Sequence, residues 1–127
     1  MNTHPHSEPI FDPAPLVSIR QLEDTGFTGG LVSELIGMFL RSTPGRIDVV
    51  LLASREGDFA RVRKIAHFLR SSSEALGALR FSQFCAELEG VETLTRIEAE
   101  SWANILQAEF DAVRSVFIDV AKLNKIL

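Results

Sequence analysis

Apolar residues recur at intervals of three and four along almost the whole chain, and this spacing restricts the possible folds more than any other feature. Phe81, Phe84, Cys85 and Leu88 follow the i, i+3, i+4, i+7 pattern that forms one face of a helix. The alternation of apolar and polar residues that is typical of half-buried strands does not persist anywhere in the sequence. The pattern therefore predicts an all-α protein.

Helix ends are marked by glycine, proline and capping residues. Pro44-Gly45 is expected to kink or split one helix, Gly77 to end another, and Thr95 with Glu98 resembles a capping box. The connections are short, so neighbouring helices should pack antiparallel. We predict an antiparallel up-and-down four-helix bundle with a short additional N-terminal helix. The predicted helices cover residues 17–24, 28–56, 59–76 and 99–124, and a further helix after Gly77 carries Phe81, Phe84, Cys85 and Leu88.

Length and local composition indicate a single domain behind a short leader. A chain of 127 residues is long enough to bury one core. Pro5, Pro9, Pro13 and Pro15 lie close together near the N-terminus, and such a segment does not form regular structure. We therefore expect a disordered leader over residues 1–15 and a helical bundle over 16–127.

Charge, hydropathy and cysteine content exclude several classes of protein. A formal net charge of −4 argues against nucleic acid as a partner. No apolar run approaches the ~18 residues needed to span a bilayer, so this segment should not insert into a membrane. The single Cys85 forms no intrachain disulfide, and there is no secretory signal, so a cytoplasmic location is expected. No His or Cys has metal-ligand spacing, so we expect no metal site.

One histidine, His67, lies in the predicted third helix, whereas the other two are in the first six residues. At ~100° per residue, His67 falls nearly opposite the apolar stripe of that helix, so it should point into solvent. Its neighbours one turn away are Arg63, Lys64, Arg70 and Ser71. From 59 to 86 the chain carries five basic residues and one acid, Glu74, so this region should attract an anion or an acidic partner surface.

The residues alone leave two interpretations of His67 open. A single exposed histidine is often an ordinary solvated side chain. An imidazole is also nucleophilic and partly neutral at pH 7, and nearby cations favour its neutral form. The same cations would also offset the charge of a negative group bound to the ring.

The stretch AHFLRSSSEALGALRFSQFCAELE, residues 66–89, resembles the signature of histidine-containing phosphotransfer (Hpt) domains. That signature runs approximately A-H-x-L-K-G-S-S-x-x-L-G-A, followed by L-x-x-L-C-x-x-L-E. Two phenylalanines, Phe81 and Phe84, replace leucines of the second part, which Cys85, Leu88 and Glu89 match. The resemblance extends over about residues 12–124, which is nearly the whole chain.

The resemblance implies a four-helix bundle that acts as a phosphorelay carrier. His67 matches the histidine that accepts a phosphoryl group from a receiver-domain aspartate and passes it to another receiver. Arg70 matches the family's lysine, which helps to neutralise the phosphoryl charge. The implied partners are response-regulator receiver domains and a hybrid sensor histidine kinase. The domain needs no cofactor because the receiver supplies Mg²⁺, and the domain is not a kinase on its own.

Two departures from the signature keep a second function open. Ser71 replaces the family's glycine at the position that leaves room for the receiver, and Glu74 places a carboxylate near Arg70. We assign receiver binding to Arg63, Lys64, Phe68 and Glu74. The alternative is a degenerate Hpt-like adaptor that binds receiver or kinase domains without phosphotransfer.

Overall fold

The computed structural model describes residues 8–24 and 30–126, and within these ranges the regular structure is entirely helical. This confirms the predicted all-α class. Residues 25–29, where the second helix was expected to begin, lie outside the described residues. In the same described ranges no helix is long and apolar enough to cross a membrane. The helices are α1 (Ala14–Asp24), α2 (Leu31–Arg55), α3 (Phe59–Glu74), α4 (Leu79–Glu89) and α5 (Arg96–Ile126).

Helices α2 to α5 form an antiparallel up-and-down bundle, as predicted, and α1 packs against α2. The direction of each pair follows from which ends meet. The start of α4 contacts the middle of α5 through Arg80 and Glu109, and its middle contacts the start of α5 through Phe84 and Trp102. Likewise the end of α2 and the start of α5 line one open groove. Helices α2 and α4 thus each pack antiparallel on α5.

Phenylalanine side chains from several helices fill the centre of the bundle. The Phe39 ring of α2 lies 5.9 Å from that of Phe81, 5.9 Å from that of Phe110 and 5.6 Å from that of Phe117. All four are at most 4% exposed. The contacts with Phe81 and Phe117 are edge-to-face, and such packing adds about 0.5–1.5 kcal/mol per pair to the free energy of burial. The core therefore ties α2, α4 and α5 together.

The packed domain begins before residue 16, so the predicted leader of residues 1–15 is too long. The Phe11 ring packs edge-on against Phe117 at 5.8 Å, and Ile10 also lies against the core. The Asp12 amide donates to the Gly77 carbonyl at 2.8 Å, and α1 begins at Ala14. Partial burial of these two apolar side chains offsets part of the cost of ordering a proline-rich stretch. Residues 1–7 lie outside the described residues.

A capping box sets the start of α5. Thr95 Oγ1 accepts from the Glu98 amide at 3.1 Å while Glu98 Oε1 accepts from the Thr95 amide at 2.8 Å. This reciprocal pair confirms the predicted capping box.

Helix α2 runs unbroken through Pro44, so the predicted split does not occur. One residue earlier, the buried Thr43 hydroxyl donates to the Phe39 carbonyl at 2.7 Å.

Candidate functional site

Helix α3 presents His67 to solvent because its apolar stripe faces the other way. The Asp58 side chain accepts from the Arg61 amide at 3.2 Å and fixes the start of the helix. The stripe is buried in the bundle and consists of Val62, Ala66, Leu69 and Ser73. The His67 side chain, on the opposite face, is 58% exposed. The direction expected from the helical projection is therefore observed.

Glu89, the last residue of α4, connects His67 to Arg70. Its Oε2 lies 2.6 Å from His67 Nδ1, and its Oε1 accepts from Arg70 Nε at 2.7 Å. The Glu89 side chain is 29% exposed, so water covers only part of the carboxylate. Both oxygens are engaged at short distances, which is typical of charge-assisted hydrogen bonds.

These contacts determine which nitrogen of the His67 ring carries the proton. Arg70 Nη2 also lies 3.2 Å from His67 Nδ1, and a guanidinium can only donate. A neutral imidazole nitrogen cannot both donate to Glu89 and accept from Arg70. The 2.6 Å contact with an ionised carboxylate is much the stronger interaction, so Nδ1 carries the hydrogen. Nε2 then has a free lone pair.

The charges in this network stabilise each other. The Arg70 hydrogen bond lowers the pKa of Glu89, partial burial opposes this change, and the His67 hydrogen bond adds to it. Glu89 in turn raises the pKa of Arg70. Because the folded pKa of Glu89 lies below its usual 4.5, its contribution to stability is present above that pH. The contribution is lost as the pH falls through the lower folded value.

The other predicted site residues lie on two sides of His67. On the α4 side, the Arg63 guanidinium donates to the carbonyls of Val91 (3.2 Å) and Glu92 (3.0 Å), in the loop after α4. Glu74 is exposed, with Oε1 3.7 Å from Arg70 Nη1. The remaining three, Lys64, Phe68 and Ser71, are exposed on the other side.

An open groove lies between α2 and α3, next to Phe68. Its volume is about 400 Å³, and its lining combines apolar and basic side chains. Phe68 and Met38 are half exposed, at 49% and 53%. The Arg46 guanidinium carbon lies 4.2 Å from the centre of the Phe68 ring, which is cation–π geometry. Met38, Arg41 and Arg46 were absent from the sequence-based site, since they lie on another helix.

Small side chains that are buried or half-buried lie beneath the site and take no part in its chemistry. The buried Ser73 hydroxyl donates to the Leu69 carbonyl at 2.6 Å, and Ser72 donates to the same carbonyl at 3.2 Å. This bonding within α3 agrees with a packing role for both serines. Cys85 is fully buried, and burial raises the pKa of its thiol, so it is not a reactive nucleophile. Among the described residues, no group of three or more His, Cys, Asp or Glu side chains is arranged to hold a metal ion.

Sequence reasoning assigned no role to Glu89. The residue belongs to the quoted signature, but the charge count around His67 ended at residue 86, three positions earlier. Only the antiparallel return of α4 brings it beside His67, 22 residues away in sequence. The available signal was a carboxylate at the end of the helix after the one that carries the histidine.

We predict that Glu89→Gln shifts the His67 ring toward the Nε2–H tautomer. The amide offers one acceptor oxygen where the carboxylate offers two, and the charged Arg70 competes for it more strongly than a neutral imidazole. The ratio of tautomers should change by roughly a factor of ten, the equivalent of one hydrogen bond. Ring nitrogen chemical shifts, measured by ¹⁵N NMR, report this ratio directly.

Glu87→Gln is the matched control for that measurement, because Glu87 is exposed on the same helix two residues earlier. It should leave the His67 nitrogen shifts unchanged. The role of Glu89 in setting the tautomer would be contradicted if the His67 nitrogen chemical shifts changed equally in both variants. It would also be contradicted if they changed in neither variant.

Two of three comparisons with known proteins agree with this architecture, and the third found no match. The family model described as the Hpt domain matches residues 34–116. The fold is similar to the crystal structure of histidine-containing phosphotransfer protein B from Pseudomonas aeruginosa PAO1, with a TM-score of 0.71. That match has 22% sequence identity and covers 90% of this chain and 96% of the other. No curated protein matches the chain significantly.

Proposed function

Because the chain belongs to the Hpt domain family, whose members carry out histidine phosphotransfer in phosphorelays, we propose that His67 is its phosphoryl carrier. His67 accepts a phosphoryl group from the aspartate of one receiver domain and passes it to the aspartate of another. The observation that carries this proposal is the exposed imidazole whose Nδ1 lies 2.6 Å from the Glu89 carboxylate. The hydrogen assigned to Nδ1 from this contact leaves Nε2 as the nucleophile.

The transfer step uses the lone pair of Nε2. Nε2 attacks the phosphorus atom in line, and a nitrogen–phosphorus bond forms while the bond from phosphorus to the aspartate oxygen breaks. The aspartate leaves as a carboxylate with the electron pair of that bond. No proton moves, so the ring becomes a phosphorylated imidazolium that keeps its Nδ1–H. The second transfer is the reverse of this step, toward the aspartate of the next receiver.

Glu89 stabilises the charge that develops during this step. The ring is neutral before attack and cationic afterwards, and Glu89 Oε2, 2.6 Å from Nδ1, faces the charge that develops on it. A fixed carboxylate directed at a developing positive charge lowers the barrier without reorganisation. Arg70 holds the other carboxylate oxygen and so keeps Glu89 in place.

The receiver docks over the α2 side of His67 in this proposal. There Phe68 and Met38 supply apolar surface next to the histidine, and Arg41 and Arg46 line the same groove. Apolar contact surrounded by charge is typical of a specific interface. Lys64 lies on this side as well, whereas Arg63 is bonded to the loop after α4 and serves to hold that loop.

Partners and location follow from the same proposal. The receivers supply the Mg²⁺ that the chemistry needs, and a hybrid sensor histidine kinase supplies the phosphoryl group at the start of the relay. The proposed location is the cytoplasm, together with those partners. The chain itself contributes the nucleophile and its orienting network.

Transfer from a phosphorylated receiver tests the proposal. The chain is incubated with a receiver carrying labelled phosphoaspartate and then separated from it. The expected result is label on the chain that is labile to acid and stable to alkali, as for phosphohistidine. Absence of label from every receiver that binds the chain would reject the relay function.

An adaptor without phosphotransfer is the second candidate, and the exposed Ser71 beside His67 favours it. For a relay protein we predict measurable wild-type transfer and at most a two- to threefold gain in Ser71→Gly, because serine adds only a small obstacle. The substitution should cost roughly 0.5–1 kcal/mol of stability, since it places glycine inside a helix. Single-turnover transfer rates and thermal melts measure the two effects.

Ser115→Gly controls for the helix effect of that change, because Ser115 is exposed in α5, away from α3. It should lower stability similarly and leave transfer unchanged. A wild type that binds receivers without taking the phosphoryl group, together with a Ser71→Gly variant that takes it, would establish the adaptor.

A further inference from the structure

We propose that Lys64, and not Arg70, is the cation that contacts the phosphoryl group on His67. This inference rests on the proposed function of His67 as the phosphoryl carrier. It departs from the role that the family resemblance implies for Arg70, which here becomes a positioning residue that acts through Glu89.

The guanidinium of Arg70 is already occupied by carboxylates. Its Nε donates to Glu89 at 2.7 Å, and its Nη1 lies 3.7 Å from Glu74. Its Nη2 faces Nδ1 of the His67 ring, the nitrogen that does not receive the phosphoryl group. Two carboxylates therefore surround one cation, and the Arg70 side of His67 has no excess positive charge to offer an anion.

Arg63 is also committed, since its guanidinium satisfies the Val91 and Glu92 carbonyls at the end of α4. Moving it to a phosphoryl group would leave those carbonyls without this partner. Both arginines next to His67 in the helix are thus used to hold α3 against α4 and the loop that follows.

Lys64 lies on the other side of the histidine. At ~100° per residue, Lys64 and Ser71 fall on one side of His67 in the helix, while Arg63 and Arg70 fall on the side toward α4. Lys64 is exposed, and within residues 8–24 and 30–126 it makes no hydrogen bond or ion pair. Its ammonium is therefore free to reorient, and it has three donors for phosphoryl oxygens.

In this proposal Nε2 of His67 is directed toward the side of the helix that carries Lys64. Side chains in a helix tilt toward its N-terminus, which favours a ring position over the turn that contains Lys64. The Nδ1 edge of the ring faces Glu89 on the α4 side, so the Nε2 edge faces away from α4. Residues three apart lie about 5–6 Å from each other at Cβ, which is within the reach of a lysine.

Labelling with phosphoramidate, a small phosphoryl donor, tests the inference without a receiver. The donor does not dock on the α2 side, so a residue that serves only receiver binding has no effect on the rate. We expect Lys64→Gln to slow phosphohistidine formation about tenfold and Lys64→Arg to restore most of the rate. Lys122→Gln, an exposed lysine of α5, is the matched control and should behave as wild type.

The ionisation of the phosphoryl group on His67, followed by ³¹P NMR, separates Lys64 from Arg70. A cation in contact with the phosphoryl group lowers its pKa, so Lys64→Gln should raise that pKa by about half a unit or more. Arg70→Gln should change the ring ¹⁵N shifts through Glu89 and move the phosphoryl pKa less. A larger phosphoryl pKa change in Arg70→Gln than in Lys64→Gln would overturn the inference.

Failure of this inference is distinguishable from failure of the proposed function. If receivers and phosphoramidate label His67 but no readout responds to Lys64→Gln, only the role of Lys64 is rejected. If His67 takes no label from either donor, the carrier function and the role of Lys64 are both rejected.

Discussion

His67→Gln should reduce labelling by a phosphorylated receiver to background while leaving the fold intact. The amide nitrogen of glutamine has no available lone pair, so it cannot attack phosphorus, whereas its N–H groups still reach Glu89. The side chain is 58% exposed, and substitution at such a site changes stability by no more than about 0.5 kcal/mol. Transfer of label, circular dichroism and thermal melting measure the three expectations.

The chain has two further histidines, and His6→Gln is the matched control. That variant should take label at the wild-type rate. Label that persists in His67→Gln would assign the carrier role to another residue. A melting temperature lower by several degrees would show instead that the ring contributes to packing, against its exposed position.

Gly77→Ala should destabilise the bundle by about 2–4 kcal/mol, more than any other single change proposed for this fold. Gly77 has a φ of +83°, where an alanine is strained, and an added Cβ would lie 2.0 Å from the Asp12 carbonyl oxygen. Relief requires the Asp12 segment to move, which breaks its 2.8 Å hydrogen bond to Gly77 and loosens Phe11 from Phe117. The melting temperature should fall by roughly 10 °C.

Gly45→Ala provides the opposite expectation from the same substitution. Gly45 lies within α2, and no atom would come within 4 Å of an added Cβ. Alanine there should stabilise the protein by roughly 0.5–1 kcal/mol through helix propensity. Limited proteolysis should cleave the segment before α1 faster in Gly77→Ala and at an unchanged rate in Gly45→Ala. Equal melting temperatures for the two variants would show that the contact between Asp12 and Gly77 does not hold the segment.

The helical elements were predictable because the signals for them are local. The stripe of α3 and the capping box at Thr95 depend on residues within a few positions of each other. The start of the packed domain was not predictable in the same way. Phe11 is ordered because its ring packs against Phe117, which is more than a hundred residues away in sequence. The prolines around Phe11 predict instead a segment without ordered structure.

The candidate site shows the same division. The exposure of His67 follows from the geometry of one helix. Its orienting carboxylate and the groove beside it depend on how α4 and α2 pack against α3, and spacing within α3 carries no information on either. The sequence count of charges, five basic residues and one acid from 59 to 86, indicated a positive region around His67. In the structure Glu89 bonds both His67 and Arg70, and its charge offsets that of Arg70, so the positive charge near the ring is concentrated on the side away from α4.

The polar contacts that orient His67, Arg70 and Arg63 connect residues no more than 29 positions apart. The α3–α4 hairpin therefore contains its own orienting network, and short loops of this kind close at low entropic cost. The core that supports the hairpin is built by all five helices, and α1, α2 and α5 contribute to it without taking part in that network. Substitutions in α1 and α5 can consequently change the global stability of the protein while the imidazole keeps its geometry. The stability of the protein thus depends on all five helices, whereas the orientation of the imidazole depends on two of them.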